Sequence, residues 1–222
     1  MKLNLSLLAL LLTVSSFSLN AQELRIKGGL NFSTMFEKSD DLSSGFNYKL
    51  KHGYLLGATV TFKLSDNLGL ESGILANTKG YRIKSAVSSY GFTYKLKART
   101  ELLYADVPFN LKYSFPIEKH KFYFTAGPYV GVGIAGSAKS EIWLIDDKEE
   151  EKMDISFGDN SSDDYRRLDF GVNAGLGIEI KSWQIGISYA LGLANISTYS
   201  GTVIKNRVLG IAAAYKLGKT SE

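Results

Sequence analysis

Cysteine is absent from the 222 residues. That excludes disulfides, a thiolate metal site and a lipid-anchored amino-terminal cysteine. Histidine is scarce, with only His52 and His120. After residue 22 no stretch approaches 18 consecutive apolar residues, so no transmembrane helix is expected. No excess of one charge marks a polyanion partner either. Without Lys2, 25 basic residues face 22 acidic ones, and the basic residues are scattered rather than gathered on one face. Nucleic acid is therefore not an expected partner.

What is present begins with MKLNLSLLALLLTVSSFSLNAQ. Lys2, the apolar run Leu5 to Val14, a more polar stretch and Ala21 before Gln22 read as a secretory signal peptide cut after Ala21. Leu19, three positions before the cut, is larger than usual. The apolar run falls short of the roughly 20 residues that a bilayer-spanning helix needs. The expected organisation is a signal peptide over 1–21 and one domain over 22–222. An exported chain without disulfides must hold itself together by packing or by membrane insertion.

Eight stretches of the mature chain alternate with period two, the pattern of half-buried strands. In His52 to Leu64, Tyr54, Leu56, Ala58, Val60, Phe62 and Leu64 oppose Leu55, Gly57, Thr59, Thr61 and Lys63. Leu24 to Phe32, Leu68 to Gly80, Leu103 to Phe115, Leu168 to Ile180, Trp183 to Leu193 and Arg207 to Leu217 behave alike. The eighth, Phe122 to Ala135, contains GPYVGVGIAG, whose Gly131, Gly133 and Gly136 have the G-x-G-x-x-G spacing of a dinucleotide loop. Its alternation runs unbroken through the glycines, and no capped helix starts there. The segment reads as a strand, with Pro128 marking an edge or a bulge.

The connections also alternate. Ser65-Asp66-Asn67, Pro116 to Lys121 and Lys181-Ser182 are short, whereas Ser33 to Lys51, Tyr81 to Leu102, Gly136 to Arg167 and Ala194 to Asn206 are long. A meander places all the long ones at one rim, the asymmetry of outer-membrane barrels with short periplasmic turns and long extracellular loops. The expected fold is all-β, an eight-stranded antiparallel up-and-down transmembrane β-barrel.

Period two fits a soluble lipocalin-like barrel as well, with its apolar face turned inward. Three features favour the membrane form. The non-apolar face is rich in small residues, among them Gly127, Gly131, Gly133, Gly171, Gly175, Gly177 and Gly186, which suits a crowded lumen. Phe62, Tyr113, Phe115, Phe122, Trp183 and Tyr215 collect on the apolar face beside the short turns, as an interfacial girdle does. Lys27, Glu71, Asp106, Lys112 and Glu179 sit mid-strand on the other face, where a closed lumen requires opposite charges to pair. These five are expected to form a lumenal ion-pair network.

The segments "IKGGLNFSTM", "YADVPFNLKYSF", "FYFTAGPYVGVGI", "DFGVNAGLGIEI", "WQIGISYALGLANI" and "NRVLGIAAAYKL" cover most of the mature chain. In them the sequence resembles the Bacteroidetes-type outer-membrane β-barrel family, the group that includes a type IX secretion-linked barrel. The resemblance implies an outer-membrane barrel and no single activity. The carboxyl end departs from the pattern, closing on Tyr215-Lys216-Leu217 followed by GKTSE rather than on an aromatic residue.

Catalytic, cofactor and metal sites are all expected to be none. His52 and His120 fall at opposite rims of the meander, and neither has a serine two residues away. The stretch Glu141 to Asp164 holds ten acidic residues and two lysines and reads as a solvated charge run. Its GDNSSDD lacks the spacing and closing glutamate of an EF-hand loop; divalent cations bridging lipopolysaccharide, or a basic partner, are what it would take. The expected function is a structural or interaction role through extracellular loops, with the lumen plugged and no general pore. The alternatives are a soluble periplasmic lipocalin-like barrel holding a lipid and an accessory of protein secretion. Expected partners are outer-membrane lipid and lipopolysaccharide and an extracellular or secretion-machinery protein, with the barrel itself a monomer.

Overall fold

The computed structural model describes residues 22–39, 48–89, 92–144, 147–160 and 162–218. The signal-peptide segment 1–21 lies outside the described residues. Ten strands follow in order: β1 (Gln22–Ser39), β2 (Tyr48–Lys49), β3 (Lys51–Lys63), β4 (Leu68–Ser89), β5 (Phe92–Ile117), β6 (His120–Leu144), β7 (Asp147–Asp154), β8 (Leu168–Ile180), β9 (Trp183–Gly192) and β10 (Thr202–Leu217). The pairing runs β1, β3, β4, β5, β6, β8, β9, β10 and returns to β1, where Leu24 faces Leu217 and Ser39 faces Thr202. That closure leaves no exposed edge around the wall.

Ten strands correct the expectation of eight. Among the described residues the two additions, β2 and β7, each pair with one neighbour, β4 and β6. They were hidden because period two records a contrast between two environments, and neither has one. The sequence of β7, DKEEEKMD, is charged on both faces, so its pairing rests on backbone hydrogen bonds without a change of solvent across it. The same reason explains why β4, β5 and β6 run far beyond the segments that alternate. The basic stretch after Gly80 continues the β4–β5 hairpin as far as Ser89 opposite Phe92, and β6 continues past Ala135 to Leu144.

The short turns lie where the spacing put them. Glu118 and Lys181 open the two-residue turns at left-handed φ values of 53° and 54°, the conformation that tight hairpin turns demand. Pro128 faces Val172 on β8, and on the β5 side the pairing is interrupted between Pro108–Tyr129 and Leu111–Ala126. A bulge falls at Ile134, where Leu103 faces Ala135 while Tyr104 faces Gly133.

The apolar stripes point outward. Leu56 is 58 % exposed and Ile74 67 %, and Val132, Leu176 and Ile187 are exposed as well. On β5 this outer belt runs from Leu103 to Tyr113, odd residues outward and even residues inward. At the short-turn rim Phe115 stacks on Phe122 and Phe124, and Trp183 meets Tyr215 edge to face at 5.0 Å, which forms the expected girdle.

Candidate functional site in the barrel lumen

The inward face is polar and tightly filled. Its small residues make room for large ones. A Cβ on Gly177 or Gly186 would come within 2.4 or 2.2 Å of the Tyr123 hydroxyl, and one on Gly131 within 2.2 Å of Asp106 Oδ1. Glycine at these positions allows the bulky lumenal side chains to cross a narrow barrel.

The charges form tiers. Next to the short turns, Arg25 reaches Glu23 at 2.7 Å and Glu179 at 3.3 Å, Lys216 reaches Glu23 at 3.1 Å, and Lys112 pairs with Glu179. Above them Lys27 stands 4.0 Å from the buried Glu71. Higher still, the fully buried Lys79 donates to Asp106 Oδ1 and to Asp169 Oδ2, each at 2.9 Å. Asn77 donates to the other oxygen of Asp106 at 2.7 Å, while Asn206 and the Tyr129 hydroxyl donate to Asp169 at 2.9 and 3.3 Å. The ammonium also lies over the rings of Tyr104 and Tyr129 at 4.5 and 4.6 Å. Desolvating an ammonium is costly, and two carboxylates with two aromatic faces are the kind of shell that offsets it.

All five expected charges belong to this network, but its centre was not singled out. Lys79 and Asp169 pair across the lumen from β4 and β8, and no spacing within either strand reveals such a contact. The available signal was parity: each falls in phase with the polar face of its strand. Between the tiers lie a cavity of about 80 Å³ bordered by Lys27, Asn31, Asn77 and Tyr129, and one of about 20 Å³ beside Tyr123 and Gln184. Together they have room for a few waters.

The long-loop rim carries an apolar cap. Met35, Leu102, Tyr104, Phe157, Tyr165, Ala194 and Ile196 form one buried cluster. Phe157 comes from the stretch that reads as a solvated acidic run, and Tyr165 directly follows it; the described charges of β7 are exposed as that reading has them, but Phe157 is buried. The acidic run holds the end of β6, the strand β7 and then a segment folded over the barrel mouth. Arg167 donates to the Phe157 carbonyl at 2.8 Å, and the Arg166 amide donates to the Ile196 carbonyl at 2.8 Å. Two of its acids are occupied locally. Asp164 accepts from the Ser156 amide and hydroxyl at 2.8 and 3.0 Å, and Asp163 accepts from the Asn160 amide at 3.0 Å. Among the described residues no group of three or more His, Asp or Glu side chains is placed to hold a metal ion. His52 faces Phe32 at the long-loop rim, and His120 faces Ile117 at the short-turn rim, so the structure does not bring them together.

Residues 17–198 match the family described as outer membrane protein beta-barrel domain. The chain belongs to this family. It is an outer-membrane protein, and its exposed apolar belt meets hydrocarbon. A lipocalin-like arrangement would need that belt turned inward, and Leu56, Val132, Leu176 and Ile187 face the other way. No curated protein matches the sequence. Among solved structures the chain is similar to the attachment invasion locus protein Ail of Yersinia pestis, at 14 % identity over 88 % of this chain and 98 % of the other, with a TM-score of 0.33. It is similar to OprG from Pseudomonas aeruginosa, at 14 % identity over 90 % and 97 %, with a TM-score of 0.41. Neisserial surface protein A is a third, at 10 % identity over 87 % and 97 %, with a TM-score of 0.40. Likenesses this distant carry no argument about activity.

Proposed function

We propose that this outer-membrane barrel works from its outer surface, with its lumen closed to solutes and without catalysis. The observation that carries the reading is Lys79, held between Asp106 and Asp169 across the lumen under the Phe157 cluster. Opening a path there means parting a buried ion triad, which is strongly unfavourable. The parts built to meet other molecules are then the extended β4–β5 and β6–β7 hairpins. The barrel acts as a monomer, since the pairing around its wall is complete.

Reconstitution of the full chain in planar bilayers tests the closed lumen. The expected result is no stepwise conductance; regular single-channel steps would overturn it. The resemblance in "YADVPFNLKYSF" and its companion segments further assigns the source to the Bacteroidetes and raises an accessory role in secretion. A deletion strain assayed for exported cargo tests that role, with loss of cargo from the medium expected if the role holds and unchanged export ruling it out.

A further inference from the structure

Above the membrane the register sets five cations side by side. Lys49 faces Arg82, Arg82 faces Arg99, Arg99 faces Lys139, and Lys139 faces Lys152. This row crosses β2, β4, β5, β6 and β7, with neighbouring strands about 4.8 Å apart. Like charges directly opposite one another destabilise a sheet, so a row of five asks for counter-charge. Among the described residues, acids supply part of it. Arg99 pairs with Glu101 at 2.7 Å, and Lys139 pairs with Glu150 at 2.5 Å and Glu141 at 3.4 Å. Among the described residues Lys49, Arg82 and Lys152 have no ion pair. One step further out on the same face, Lys84 stands opposite Lys97, and a cleft of about 250 Å³ opens among Arg82, Lys84, Lys97, Arg99, Lys139 and Glu141.

The face is the outer one. Arg99 shares the odd-numbered side of β5 with Phe109, Leu111 and Tyr113, all exposed to lipid. Arg82 shares the even-numbered side of β4 with Leu70 and Ile74. From Leu103, where the apolar belt of β5 ends, Arg99 is four residues on, about 13 Å along the strand. Arg82 and Arg99, past the end of the belt and turned toward the leaflet rather than the lumen, meet head groups and not hydrocarbon.

We infer that this row is a binding site for the phosphate groups of lipopolysaccharide in the surrounding outer leaflet, with Arg82 and Arg99 as its central contacts. Guanidinium groups bind phosphate oxygens in pairs, and an anion seated over the cleft relieves the repulsion along the row. The inference rests on the outward-acting reading only in placing the long-loop rim outside the cell, and it is indifferent to whether the lumen conducts.

The test uses the full chain in a non-ionic detergent, titrated with diphosphorylated lipid A and with lipid A stripped of both phosphates. The diphosphorylated form should bind at least about tenfold more tightly, and higher salt should erode the difference. The double variant Arg82→Ser, Arg99→Ser should lose that preference while keeping the gel shift between unboiled and boiled samples that reports a folded barrel. If the double variant does not fold, Lys152→Ser alone, at the exposed end of the row, should weaken the preference measurably. Lys119→Ser with Lys121→Ser, at the other rim, should leave it intact. Equal binding of the two lipid forms, a preference untouched by the row variants, or tighter binding of a sulfated polysaccharide than of diphosphorylated lipid A would overturn the inference.

Discussion

Lys79 Nζ donates to Asp169 Oδ2 at 2.9 Å across 90 residues of sequence, with neither side chain reaching solvent. The contact ties β4 to β8 through the centre of the barrel, and with Asp106 it makes the lumen an ionic core rather than an apolar one. A protein whose outer wall is solvated by hydrocarbon has no second apolar medium to fold against, so its interior is held by charge pairs and hydrogen bonds.

Removing the cation should therefore cost more than removing the whole cluster. Lys79→Met leaves Asp106 and Asp169 buried without their ammonium and should destabilise the barrel by about 3–5 kcal/mol. The triple change Lys79→Met, Asp106→Asn, Asp169→Asn should recover a substantial part of that loss. Urea unfolding in lipid vesicles measures both; a triple variant as weak as the single one would contradict the pairing.

Gly131 tests the packing of the same cluster from the wall. A Cβ there would fall 2.2 Å from Asp106 Oδ1 and 3.5 Å from Lys79 Nζ. Gly131→Ala should push the carboxylate off the ammonium and cost about 1–3 kcal/mol, read from the same unfolding curves. An unchanged midpoint would show that the cluster is looser than the structure has it.

Phe157 should matter locally. It packs edge to face on Tyr104 at 5.7 Å and sits with Met35 and Leu102 in the cap. Phe157→Ala should release the 155–167 segment by about 3 kcal/mol, seen as faster proteolysis within that segment. The wall should remain closed and keep its unboiled gel mobility.

At the rim, Lys51 is buried and its Nζ stands 3.1 Å from Glu101 Oε2, outside good hydrogen-bond angles. Burial pushes Glu101 upward, but the Lys51 ammonium and Arg99 outweigh it and hold the carboxyl below its usual range. The folded value is lower than the unfolded one, so the contribution is present above the ordinary glutamate value of about 4.3 and fades as pH falls through the folded value. Hydrogen exchange at the adjoining ends of β3 and β5 should quicken below that range. In Glu101→Gln it should already be fast at neutral pH and show no such step.

The wall of the barrel was legible in the sequence wherever one face of a strand meets lipid and the other meets the lumen. β8, Leu168 to Ile180, agrees with the alternating segment residue for residue. Beyond the bilayer both faces of a hairpin meet water, the contrast vanishes, and the extensions of β4, β5 and β6 and the whole of β7 vanish from the pattern with it. The ionic residues of the lumen were legible as a set, since Lys27, Glu71, Asp106, Lys112 and Glu179 could not sit on that face unpaired. Their partners were not, because Lys79 with Asp169 is a contact between strands far apart in the chain. The cap was hidden for a further reason: Phe157 is an isolated apolar residue in an acidic stretch and Tyr165 stands just past its end, and only the fold brings them to Tyr104 and Ile196.

Which way the two faces of each strand point is directly measurable, because the sequence has no cysteine. Single cysteines placed at each position from Tyr54 to Phe62, spin-labelled in lipid vesicles, report access to oxygen dissolved in the bilayer. The expected profile has a period of two, with labels at 54, 56, 58, 60 and 62 exposed to oxygen and labels at 55, 57, 59 and 61 shielded. The opposite phase, or a flat profile along the strand, would contradict it.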